Sequence, residues 1–168
     1  MSAGASRLPG KTGATTRSGG LPVKSANLYS TPDDAETAFY DAIERGDLEA
    51  MMATWAEDED IVCIQPNGQR LAGHAAVRES WRHVFENATR LHVRVSHAIR
   101  WSSALMAVHN VLETLYIGDD PTPHGPMLAT NVFVRGANGW RLLSHHASTA
   151  SEPPAEPPSG NHPPRVLH

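Results

Sequence analysis

One cysteine, Cys63, stands in the 168-residue chain, so no disulfide can close within it and no cysteine-based zinc site can be assembled. Such usage fits a reducing compartment. No run of about 18 apolar residues is present to span a bilayer, and the N-terminus lacks the apolar segment of a secretory signal, so a cytoplasmic protein without a membrane partner is expected. Lysine is missing from Asp33 to Ala147, where nine arginines face sixteen acids for a net charge of −7. Schiff-base chemistry is thereby excluded from that region, and its acidity argues against nucleic acid as a partner. The Gly-x-Ser-x-Gly elbow, the Gly-x-x-x-x-Gly-Lys phosphate loop and the His-Glu-x-x-His zinc helix are also absent, which removes three familiar chemistries. Neither a metal nor a cofactor is expected.

What is there divides into three parts. Residues 1–27 are rich in Gly, Ser and Thr with no periodic apolar face, and residues 151–168 carry Pro153, Pro154, Pro157, Pro158, Pro163 and Pro164; both read as disordered, leaving one domain over 28–150. Thr31-Pro32 signals a helix start, the spacing of Ala35, Phe39, Ala42 and Ile43 predicts a helix over 32–45, and Gly46 ends it. Asp47 can cap a second, short helix. Ile61 to Gln65, the turn Pro66-Asn67-Gly68 and Gln69 to Leu71 read as a small hairpin, followed by a third helix over 74–86. From Leu91 the period becomes two, with Leu91, Val93, Val95, His97, Ile99 and Trp101 on the apolar parity. Further strands follow at Leu105–Ile117, Leu128–Arg135 and Trp140–Ala147, making an antiparallel meander. The first of these, Leu105–Ile117, is apolar on both parities, yet three helices can cover only one face of a sheet. The uncovered face calls for a second copy of the chain, hence a homodimer through the sheet.

Several stretches then carry a resemblance. Phe39-Tyr40-Asp41-Ala42-Ile43-Glu44-Arg45-Gly46-Asp47-Leu48, Gly73-His74-Ala75-Ala76-Val77, Thr130-Asn131-Val132-Phe133 and the close Ser144-His145-His146-Ala147-Ser148 resemble, in order, segments of the nuclear transport factor two-like superfamily in its SnoaL-like, ketosteroid-isomerase-like branch. The resemblance implies an α+β cone: a curved antiparallel or mixed sheet with three N-terminal helices on its concave face, around an apolar pocket. Members include isomerases, cyclases, epoxide hydrolases, dehydratases and non-catalytic association domains, so fold does not settle function. The acid pair plus tyrosine of ketosteroid isomerase cannot be placed on this sequence.

Ionisable or amide side chains within apolar strands are the first candidates for a site. His109 and Glu113 share a strand face, about 13 Å apart along it, and cannot touch directly. His145 and His146 are adjacent and must point to opposite faces; the parity of Trp140, Leu142 and Ser144 selects His146 as the inward one. The candidates for catalysis are His146, Glu113 and His109, as acid or base near neutral pH. Asn131, Trp55, Tyr40 and Trp81 are the candidate ligand contacts, Asn131 either polarising a carbonyl or bonding His146. His146 and Glu113 read equally as structural groups, one a satisfied core histidine, the other an ion-pair partner. The expected function is binding of a small apolar organic molecule, with isomerisation, cyclisation or hydration by acid-base chemistry; the alternative is a non-enzymatic dimeric association module.

Overall fold

The computed structural model describes residues 29–57, 59–87, 90–150 and 165–166; the N-terminal arm and nearly all of the Pro-rich tail lie outside them. The first helix, α1 (Pro32–Arg45), opens on a reciprocal cap in which the Asp34 N–H donates to the Thr31 hydroxyl and the Thr31 N–H to the Asp34 carboxylate. Gly46 ends it in the left-handed region at φ 61°, and Asp47 immediately caps α2 (Leu48–Thr54). The hairpin of β1 (Val62–Ile64) and β2 (Arg70–Ala72) leads into α3 (His74–Asn87). Then come β3 (Leu91–Ser102), β4 (Met106–Ile117), β5 (His124–Gly136) and β6 (Gly139–Thr149), the expected antiparallel meander, with β5 starting four residues earlier than its apolar run.

Parallel pairing of β1 with β6 makes the sheet mixed, in the order β2-β1-β6-β5-β4-β3-β7. The last strand, β7 (Arg165–Val166), pairs in parallel with Trp101 and Ser102. No described helix is long and apolar enough to cross a membrane.

The helices close over one face of the sheet. Phe39 is the hub of the core, its ring meeting Trp55 and Trp81 edge-on, while Ala35, Ile43, Met51 and Val77 pack beneath against Ala107, Phe133 and Leu142. The opposite face stays uncovered, and Ile99, Met106 and Leu128 are 52%, 42% and 41% exposed there.

Two bulges decide which side chains enter the interior. In β3 the register shifts between Ser96 and Ile99, where His97 takes φ 53°. In β6 it shifts opposite Val132 and Phe133, which pair with Ser144 and Leu142 and leave Leu143 extra. One added residue inverts the alternation beyond it. Arg100 therefore turns inward opposite His109, while His97 and Ile99, expected on the apolar side, turn outward.

Candidate functional site

The second bulge corrects the choice between the two histidines. Beyond Leu143 the parity set by Trp140 and Leu142 is inverted, so His145 is buried opposite Asn131 and His146 is exposed opposite Thr130. His146 is thus removed from the candidate site and His145 takes its place.

Beneath α1 the polar side chains form one continuous cluster. Glu36 and Tyr40, one helical turn apart, both face the sheet. Tyr40 donates to Glu113 Oε1 at 2.7 Å. Asn131 Nδ2 donates to Tyr40 Oη and to Glu36 Oε1, both at 3.1 Å. On the other side, Asn131 Oδ1 lies 2.7 Å from His145 Nδ1. His109 Nδ1 lies 3.0 Å from Glu36 Oε2, off the hydrogen-bonding direction. Arg100 completes the charge balance, its guanidinium reaching Glu36 at 3.2 Å and Asp33 at 3.0 Å. His109 and Glu113, too far apart to meet directly, are thereby joined through Glu36, Asn131 and Tyr40.

Environment sorts these groups. Burial alone would raise the Glu36 pKa, but His109, Asn131 and Arg100 outweigh it and hold the carboxyl below its ordinary value, so Glu36 is an anion. Burial, with Glu113 beside it, pushes the Tyr40 phenol far up, and Tyr40 stays a proton donor. Burial also holds His145 below 6.5, helped by His146 and opposed by Glu113, so its ring is neutral at pH 7. Cys63 is pushed up to about 12 by burial and by Glu113, which makes it an inert core thiol.

Exposure then separates groups that can touch a ligand from groups that support them. Asn131 and His109 are 0% and 1% exposed, whereas Tyr40, Glu113 and His145 keep 8%, 7% and 6%. The last three sit together, Tyr40 on Glu113 and both His145 and Tyr40 on Asn131. Trp55 and Trp81 pack around Phe39, and their indole N–H groups are enclosed without a hydrogen bond. A neutral His145 is suited to accept a proton at Nε2, with Asn131 fixing the ring through Nδ1. Both amide protons of Asn131 are engaged, so it is not free to polarise a substrate carbonyl.

Glu36 and Arg100 were missed in the sequence. Glu36 left a signal, lying three and four residues before Phe39 and Tyr40 on the buried stripe. Arg100 left none, because its inward orientation depends on the β3 bulge. Asp33, Glu36 and His109 bring ligand-type atoms within 4.8 Å of one another, yet the Arg100 guanidinium already contacts both acids. A fixed positive charge there opposes a second cation, so this set does not fit a metal. A surface groove of about 270 Å³ lined by Glu44, Arg90, His92, Tyr116 and Asp119 shares no residue with the cluster.

Three helices on the concave face of an unclosed mixed sheet, with a polar cluster under the first helix, define an α+β cone of the nuclear transport factor two-like superfamily. More narrowly, the chain belongs to the SnoaL-like domain family, which matches residues 33–152. It is similar to a Thiobacillus denitrificans structure named as a calcium/calmodulin-dependent protein kinase type II association domain: TM-score 0.67, 44% identity, 74% of this chain and 98% of that one. It also resembles a Streptomyces avermitilis structure named as a dehydratase of the NTF2-like family, with TM-score 0.65, 29% identity and coverage of 73% and 100%. The F-box protein SKIP8 of Arabidopsis thaliana is 30% identical over 112 residues, 67% of this chain. The chain spans 46% of that protein's length.

Proposed function

We propose that this chain binds a small, mostly apolar organic molecule in the concave interior and acts on it by acid-base catalysis: isomerisation, cyclisation, or hydration and its reverse. The observation that carries this reading is the convergence of Tyr40, Glu113 and His145, joined through Asn131 and each keeping 6–8% exposure, beneath an otherwise apolar core. Buried polar networks of this size are costly unless every member is satisfied, and a fully structural network would have no use for a neutral histidine with a free ring nitrogen. His145 is assigned the role of base and Glu113 that of its carboxylate partner; Tyr40 orients Glu113, while His109 and Asn131 act from behind. Trp55 and Trp81 form the apolar wall.

Equilibrium dialysis of the full chain against a mixture of small alicyclic and aromatic compounds tests this reading. Wild type should retain a subset that His145→Phe, which fills the space and removes the base, does not. Equal retention by both would overturn it.

A second copy is proposed on the uncovered sheet face, where Met106, Leu128 and Ile99 are exposed among Val108 and Val132. The same face favours a second reading, a non-enzymatic association module, to which the 44% identity with a structure named as an association domain lends weight. In that case the cluster serves to fix α1 on the sheet, and no compound is retained.

A further inference from the structure

Two carboxylates, which as anions can only accept, fix the direction of the hydrogen bonds in the buried cluster. Asn131 Nδ2 gives one proton to Glu36 Oε1 and the other to Tyr40 Oη, and Tyr40 gives its only proton to Glu113 Oε1. The amide nitrogen of Asn131 is therefore turned toward α1, which leaves Oδ1, a pure acceptor, facing His145. The His145 proton must then sit on Nδ1, and Nε2 keeps its lone pair. Glu36 acts here as a positioning residue: it holds the Asn131 amide in the orientation that selects this tautomer. Nearby, Gln65 directs its own amide nitrogen at Cys63 Sγ and Ser80 Oγ, 4.0 Å and 3.3 Å away. The indole N–H groups of Trp55 and Trp81 are enclosed.

The Arg100 guanidinium sits on Glu36 and Asp33 opposite His109, four residues along β4 from Glu113, and the donors of Tyr40, Asn131, Trp55 and Trp81 are thus spent or shut away. Two acceptors are not: among the described residues, Glu113 Oε2 and His145 Nε2 have no hydrogen-bond partner, and neither is enclosed. We infer that the end of the concave interior at Glu113 and His145 presents acceptors only, Glu113 Oε2 and His145 Nε2, and selects molecules whose polar groups are hydrogen-bond donors, amines and alcohols, against carboxylates and other anions. The inference rests on the ligand-binding reading above and narrows it. An anion placed beside Glu113 would find no donor and a like charge, whereas an ammonium or hydroxyl group can donate to a free acceptor there, a hydroxyl to one of them. Removal of a proton from such a ligand by Nε2 is served by this arrangement; stabilisation of a developing oxyanion is not.

Four probes that share one phenyl ring and differ in the polar group, benzylamine, benzyl alcohol, toluene and benzoate, titrated into the full chain with nitrogen-15-labelled histidine, test this by nuclear magnetic resonance. The nitrogen shifts of His145 should report the Nδ1–H tautomer before any probe is added. Benzylamine and benzyl alcohol should perturb its Nε2 signal and bind more than about tenfold tighter than benzoate. Glu113→Gln, which offers an amide donor in place of the free oxygen, should bring benzoate up and benzylamine down. An Nε2-protonated His145, or benzoate binding as tightly as benzylamine to wild type, overturns the donor selectivity and leaves the pocket reading standing. Failure of all four probes to bind at millimolar concentration overturns the pocket reading, and this inference with it.

Discussion

Tyr40 holds two of the cluster's hydrogen bonds, one as donor to Glu113 and one as acceptor from Asn131. Removing its hydroxyl in Tyr40→Phe strands a buried carboxylate oxygen and a buried amide proton, so the variant should lose about 2–3 kcal/mol of stability. Urea unfolding measures this, and a loss near zero would mean that the network is solvated. His145 makes a pH-dependent prediction. Its folded pKa lies below 6.5, so an unfolded chain takes up the proton first as pH falls. Its contribution is complete above about pH 6.5 and is lost as pH drops through the folded value, with a slope of up to about 1.4 kcal/mol per pH unit. Glu36, also lowered, adds a second loss that begins only below its ordinary value of 4.5. His145→Gln should flatten the first window and leave the second; denaturant melts from pH 7 to pH 3.5, compared with wild type, separate the two.

Among the elements, β3 and β6 owe the site to their bulges. His97 carries the β3 bulge with φ 53°, a region that favours glycine, and its side chain is exposed. His97→Gly should therefore stabilise the chain by up to about 1 kcal/mol, measured by thermal unfolding, and a loss of stability would contradict the bulge. Deleting His97 would remove the extra residue and restore strict alternation with Arg100 still opposite His109 and Ile99 still outward, so the contact between Arg100 and Glu36 should survive the deletion. The same two bulges mark the limit of what the sequence discloses. Helix starts at Thr31 and Asp47, the Gly46 stop, the hairpin turn and the meander were all legible, because caps, turns and periodicity are local signals. The cluster residues Tyr40, His109, Glu113 and Asn131 were legible as polar groups in apolar surroundings. His145 and Arg100 were not, because strand parity was carried through Leu142-Leu143 and through Ser96-His97 without a break, and a bulge is a property of pairing with β5 or β4 rather than of the strand alone.

At the scale of the whole molecule, one sheet face is closed by helices and the other is open. Leu128 pairs with the buried Leu112 at the centre of the open face; a charge there, Leu128→Glu, should convert the proposed dimer to monomer in sedimentation velocity while leaving the interior cluster, on the opposite face, intact. An unchanged sedimentation coefficient would place the second copy elsewhere. The cone itself serves association and catalysis alike in this superfamily, so the decisive question is whether its interior holds a molecule. Native mass spectrometry of the chain purified gently from its own source, followed by denaturation to release anything bound, asks it directly. The expected result is a dimer whose subunits carry a defined extra mass, released on denaturation and absent from His145→Phe. Subunits of bare polypeptide mass in both proteins, whatever their oligomeric state, would contradict the ligand-binding reading and leave the association role in its place.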